Sequence, residues 1–147
     1  KPPEVDYDLE RRVQATCREG IRQGWIHSAH DPAEGGIAVA LAECGISGNL
    51  GAEIRLNIGS EASVRWDNLL FGEGGARILV SVAQDRSPTW ESYLQEQLGD
   101  YWQKIGQVGN SDAHLRVITA DDRSLIDVSI TDMRELFMNA IERRLAI

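Results

Sequence analysis

The chain is short of several things. It has two cysteines and four prolines in 147 residues. Two thiols cannot build a disulfide framework, so a reducing compartment, the cytoplasm, is the expected setting. No apolar run approaches the ~20 residues of a membrane-spanning helix, so no membrane partner is expected. Positive charge is scarce: 15 Lys and Arg stand against 23 Asp and Glu, a formal charge of −8. That balance argues against a nucleic-acid partner, because phosphate contacts along a duplex need clustered Lys and Arg. A small phosphorylated ligand stays open, since a few local donors suffice for it. Familiar catalytic signatures are missing too. There is no CxxC or HExxH, no Gly-x-Ser-x-Gly elbow, and no glycine loop followed by Lys-Ser/Thr. No repeat of 20–50 residues and no low-complexity segment is visible.

What remains is an ordinary globular composition, 42% apolar and 26% charged. The length suits one domain and lets it bury roughly 70% of its unfolded surface. Lys1-Pro2-Pro3 carries neither an initiator Met nor a signal-peptide apolar stretch. Residues 1–6 therefore read as the remnant of a linker, and 7–147 as one domain cut from a longer chain.

Periodicity places the elements. Leu9, Val13, Cys17 and Ile21 recur every four residues, predicting a helix from Tyr7 to Gln23 that stops at Gly24. A short strand from Trp25 to Ala29 leads into a second helix, apolar nearly all round, ending at Gly45. Ala52 to Ile58 alternates like a half-buried strand. Val64 to Leu70 suggests a helical turn, and Arg77 to Val82 a strand buried on both faces. Ser87, as N-cap, and Pro88 open a helix that Gly99 closes. Lys104–Val108, Leu115–Thr119 and Leu125–Ile130 predict a three-stranded meander, with Asp121-Asp122 as its last turn. A final helix, Asp132 to Leu145, carries a stripe of Met133, Leu136, Phe137, Ala140 and Ile141. This order lacks strict βαβ alternation. It predicts an α+β fold, a mostly antiparallel sheet covered by helices.

Two glycine motifs are the candidate site. In His30-Asp31-Pro32-Ala33-Glu34-Gly35-Gly36, Asp31 as N-cap, Pro32 in the first turn and Glu34 two residues on resemble a capping box. The same helix start, with bare N–H groups and a glycine pair, would also cradle an anion. Caps far outnumber ligand sites, so the structural reading outweighs the functional one. In Gly72-Glu73-Gly74-Gly75-Ala76-Arg77, Arg77 stands where a dinucleotide fingerprint needs its last glycine. A turn before a buried strand is the plain reading. Arg77 would then pair with Glu73 or Asp31 rather than with a phosphate. His27, His30, Cys17 and Cys44 lack ligand spacing for zinc. His114, beside Asp112, reads as solvated, and Trp25, Trp66, Trp90 and Trp102 as packing residues. No residue stands out as a catalyst, and no metal site is expected.

Three stretches carry a resemblance. Residues 28–43, from Ser28 through His30-Asp31 and Gly35-Gly36 to Glu43, resemble the His-Asp-x-Ser-(Asp/Glu)-Gly-Gly-Leu-Ala-Val-Ala-Leu-Ala-Glu stretch of the C-terminal AIR-synthase-related domain of phosphoribosylformylglycinamidine synthases. Leu70 to Val82 is similar to that domain's Leu-Phe-(Ser/Gly)-Glu-x-x-x-Arg run, and Ile105-Gly106-Gln107-Val108 to its Ile-Gly-x-Val strand. Ala33 departs from the family, which often has serine there, so this position offers no hydroxyl.

The resemblance implies an α/β sandwich of the AIR synthase C-terminal type. It implies a part in the ATP-dependent conversion of formylglycinamide ribonucleotide to its amidine, with Mg²⁺ offsetting phosphate charge. Partners would be the N-terminal domains of the same chain, a glutaminase subunit and a small accessory subunit. The family's ATP, magnesium and substrate motifs lie mainly in other domains, so this piece alone is expected to be inert and to bind no cofactor. Apolar surface left by absent domains could drive its dimerisation. Two other readings stand beside this one. The first is the equivalent domain of aminoimidazole ribonucleotide synthetase, selenophosphate synthetase or thiamine-phosphate kinase. The second is a free-standing ligand-sensing or interaction module with a ferredoxin-like sandwich.

Overall fold

The computed structural model describes residues 4–57, 65–109 and 112–145. The part of the expected Ala52–Ile58 strand at Ile58 and the start of the Val64–Leu70 turn lie outside them. The elements are α+β in kind: α1 (Tyr7–Arg22), β1 (Ile26–His30), α2 (Gly36–Gly48), β2 (Ala52–Leu56), α3 (Trp66–Phe71), β3 (Leu79–Val82), α4 (Ser87–Leu98), β4 (Gly106–Val108), β5 (His114–Thr119), β6 (Ser124–Ser129) and α5 (Ile130–Leu145). They fall into two compact units, each assembled from two separate stretches of chain. The first holds residues 1–40 and 65–104, the second residues 41–64 and 105–147.

In the first unit, α1 starts where Asp6 accepts hydrogen bonds from the N–H groups of Asp8 and Leu9 at 3.1 and 3.0 Å, an aspartate N-cap. Its buried line is Val13, Thr16 and Gly20 rather than the expected stripe, and Ile21 is exposed. Small residues win the inner face because the helix runs close to its neighbours. A Cβ on Gly20 would sit 2.6 Å from Ile26 Cδ1 and from Trp90 Cζ3. Trp90 of α4 is buried, with the rings of Trp25 and Tyr93 6.2 Å away, so these aromatics do pack as core. Ser87 is the first residue of α4, not its cap. Its hydroxyl donates to Glu91 Oε1, one turn on, at 2.6 Å. β1 and β3 form an antiparallel pair, His30 opposite Leu79.

The second unit holds a four-stranded sheet in the order β4-β2-β5-β6. The expected meander is corrected here. β2 lies between β4 and β5, antiparallel to β4 and parallel to β5, with Ala52 opposite Leu115 and Leu56 opposite Thr119. Alternation then does what the pattern says. Ile54, Leu56, Leu115, Val117 and Thr119 are buried, while Glu53, Arg55, His114 and Arg116 fall on the other face. β5 and β6 are joined by the expected turn, closed by Thr119 and Arg123 with Asp122 at φ 63°. The stripe expected on α5 is present and lies largely in water. The helix's first residue, Ile130, is buried, but Leu136, Phe137 and Ile141 are exposed.

Candidate functional site

Antiparallel pairing brings the two glycine motifs to one place. The first follows the end of β1 and the second precedes the start of β3, and these two ends are neighbours, His30 beside Leu79. His30 points its Nδ1 at the carbonyl of Asp31, 2.7 Å away. After it the chain does not enter a helix at Pro32. The Asp-Pro-x-Glu pattern that resembled a cap is overridden by Gly35 and Gly36, which take φ of 78° and 67°. These are left-handed values that an α-helix cannot include in its body, so α2 begins only at Gly36 and Asp31 and Glu34 stay exposed.

The glycine pair is there for contact. Gly36 is buried, and a Cβ on it would lie 2.8 Å from Leu70 O and from Phe71 C and 2.9 Å from Gly72 O. The Gly35 N–H donates to Glu73 Oε1 at 3.3 Å. On the other loop, Gly72 N–H donates to Asn68 O at 2.8 Å. Ala76, at φ 56°, donates its N–H to Glu10 Oε1 from α1. The same Glu10 oxygen lies 2.6 Å from where a Cβ on Gly75 would be. Gly74 is exposed beside the Arg77 guanidinium.

Arg77 behaves differently from expectation. Its Nη2 donates to Gly72 O at 2.7 Å, closing the glycine loop on itself. Among the described residues no carboxylate lies within ion-pair distance of it, and its buried Nε has no hydrogen-bond partner. The expected pairing with Glu73 or Asp31 is not made: the guanidinium takes the Gly72 carbonyl, Glu73 takes the Gly35 N–H, and Asp31 stays exposed.

Sequence reading thus found both loops but missed Glu10 and Asn68, which hold one of them. No local signal marks Glu10, a half-buried helix residue 66 positions from Ala76. A second missed cluster lies in the other unit. His114 is not simply solvated: its Nδ1 is 2.6 Å from Asp127 Oδ1 across the β5–β6 pair. Arg116 donates from Nε to Asp127 at 3.4 Å and from Nη1 and Nη2 to Asp112. These partners hold both carboxyls below their usual range, Arg116 acting chiefly on Asp112 and His114 chiefly on Asp127. A charge network this fully paired on an exposed sheet face is a solvated surface rather than a reaction centre.

The chemistry these groups offer is narrow. Of the N–H groups at the two loops, that of Gly35 donates to Glu73 and that of Ala76 to Glu10, and the exposed Asp31 and Glu34 add negative charge beside them. Among the described residues no three His, Cys, Asp or Glu side chains are grouped to hold a metal ion.

The α+β arrangement is shared with known proteins. The crystal structure of phosphoribosylformylglycinamidine synthase II from Thermotoga maritima superposes with a TM-score of 0.75 over 90% of this chain and 22% of its own, at 20% identity. At that identity the likeness is one of fold. Residues 1–118 match the family described as AIR synthase related protein, C-terminal domain, and the chain belongs to that family. Its curated relatives include the phosphoribosylformylglycinamidine synthase subunit PurL of Trichormus variabilis, 61% identical over the whole chain and 19% of the relative. The subunit of the same name from Nostoc punctiforme is 62% identical over 99% of the chain and 18% of the relative. The chain therefore spans about a fifth of the length of these relatives.

Proposed function

We propose that this chain works as one AIR-synthase-related domain, residues 7–147 behind a linker at 1–6, of a phosphoribosylformylglycinamidine synthase. That enzyme is an ATP-dependent ligase converting formylglycinamide ribonucleotide to its amidine in purine biosynthesis. Within it, these residues supply framework rather than catalytic groups. The observation that carries the reading is the pair of glycine loops locked by Glu10 and Glu73. Where the sequence resembles a ligand cradle, the Gly35 and Ala76 N–H groups are taken by the protein's own carboxylates. The identity to PurL relatives along the whole chain supports the assignment to this enzyme over others of the same fold.

On this proposal ATP and Mg²⁺ serve the whole enzyme and are held by residues outside this chain; ATP as a ligand of the enzyme is in line with the T. maritima PurL solved in complex with it. The partners are the remaining domains of the same polypeptide together with a glutaminase subunit and a small accessory subunit, in line with the structure described as PurLQS. The setting is the cytoplasm. Among the described residues no helix is long and apolar enough to cross a membrane. The test compares the 147-residue chain with the longer polypeptide in amidine formation from formylglycinamide ribonucleotide, ATP, Mg²⁺ and an ammonia source. Turnover is expected only from the longer polypeptide. Turnover by the 147 residues alone, or none by an intact polypeptide supplied with all substrates, sinks the reading. A thermal-shift titration separates binding from turnover: ATP–Mg²⁺ should leave the midpoint of the 147-residue chain unmoved.

A further inference from the structure

α5 is attached at its first turn and bare beyond it. Ile130 is buried and its N–H donates to Ala113 O at 2.9 Å. Arg134 Nη2 donates to Ile46 O at 2.6 Å, and Ile130 and Met133 lie against Gly45 of α2. From there on Leu136, Phe137, Met138, Ile141 and Leu145 are 60–73% exposed. At 100° per residue these five, with Ala140, fill one half of the helix circumference, while Asp132, Glu135, Asn139, Glu142 and Arg143 fill the other. Arg143 pairs with Glu135 along the polar half. Arg144 stands apart, inside the apolar half between Leu136, Phe137 and Ile141. Apart from Arg144, and Arg134 which is tied to Ile46 O, this side of the helix is apolar, and lying in water it is built to be covered.

The choice of cover follows from size and length. Five such side chains offer roughly 500 Å², short of the about 800 Å² per partner of a stable interface between separate molecules. A tethered segment needs less, because the linker replaces the cost of bringing two bodies together with an effective concentration in the millimolar range. The relatives supply the tether: this chain spans 19% of the Trichormus subunit, so about four-fifths of such a polypeptide lies outside it. A second copy laid parallel on the same face would also set Arg144 against its twin.

We infer that the apolar half of α5 is the docking face for another segment of the same longer polypeptide, an apolar surface carrying a carboxylate opposite Arg144. This rests on the reading of the chain as part of a larger synthase. The test is amide hydrogen exchange of residues 136–145 in the intact polypeptide and in the 147-residue chain, each at low and high concentration. The intact polypeptide should protect these amides at least roughly tenfold more, independently of concentration. Phe137→Asp should abolish that difference. Should Phe137→Asp prevent folding of the intact polypeptide, the milder Arg144→Glu should cut the protection severalfold while the fold is kept. Equal exchange in both chains overturns the inference. So does protection that appears in the 147-residue chain as its concentration rises, which would mean a second copy, or a gene that encodes no longer polypeptide. The two readings fail separately. Free α5 amides in a polypeptide that makes the amidine sink only the docking face, and protected amides in one that does not sink only the function.

Discussion

Replacing Gly36 with alanine tests the locked-loop reading most directly, because Gly24 provides a matched control in the same unit. Both glycines hold a left-handed φ, 67° and 69°. An alanine forced there costs about 1–2 kcal/mol at either position. The surroundings differ. At Gly24 nothing lies within 4 Å of the added carbon, whereas at Gly36 it meets Leu70 O, Phe71 C and Gly72 O at 2.8–2.9 Å. Those are backbone atoms at the end of a helix whose Leu70 is buried, so they cannot swing aside as a flexible side chain would. Overpacking of this kind adds ~1–3 kcal/mol. Gly36→Ala should therefore cost about 2–5 kcal/mol in total and Gly24→Ala about 1–2. Urea unfolding followed by fluorescence of the Trp25 and Trp90 pair reports on this unit. With a slope near 1–3 kcal/mol per molar, the two midpoints should differ by about 1 M. Equal midpoints would mean that the second loop does not press on Gly36, and the locked-loop argument would fall with it.

Four further outcomes follow from the contacts and burial described above. Glu10→Ala should cost about 1–2 kcal/mol through the lost cap on Ala76. Gly75→Ala should cost little by steric clash alone, because the Glu10 oxygen it meets ends a flexible side chain, but should displace that oxygen from Ala76 and so couple to Glu10→Ala in a double-mutant cycle in urea. Asp112 and Asp127 have carboxyls lowered by Arg116 and His114. Groups lowered in the folded state contribute stability that is complete above the unfolded carboxyl value, near 4, and is lost as pH falls through the lower folded value. Asp127→Asn should flatten the acid limb of a stability–pH curve below about pH 4, and an unchanged limb would count against the network. Burial raises both the Cys17 and Cys44 thiols, so each should react with iodoacetamide at neutral pH more slowly than cysteine in an unfolded peptide.

Much of this was legible in the residues. The helical periods of α1 and α5, the Ser87-Pro88 start and Gly99 stop of α4, the alternation of β2 and the Asp121-Asp122 turn are local signals that the fold follows in placing its elements. So is the α+β character. What escaped was of a different kind. The alternation of Ile54 and Leu56 says which face is buried but not which strand is the neighbour, so the parallel partnership with β5 was hidden. The Asp31-Pro32 start satisfied every local rule for a helix cap, yet the paired left-handed glycines moved the helix to Gly36. The stripe on α5 declared a face and said nothing of what covers it. In the site, both loops were visible from their glycines. Their closure by Glu10 and the diversion of Arg77 to a backbone carbonyl depend on approach across the fold, which spacing does not encode.

The position of β2 has a consequence for how the chain is made. β2 leaves the ribosome early, but β4 and β5, its partners on either side, come only after residues 65–104 have been synthesised. Until then both of its edges are unpaired, with Ile54 and Leu56 uncovered. Nascent chains of this kind have a slow, non-local closing step and a window in which an open strand can recruit a neighbour. Premature termination within 65–104 would leave a product that keeps β2 and lacks both strands needed to sequester it. Truncated translation products of this sequence should therefore go to aggregates or proteolysis rather than to a partly folded soluble pool.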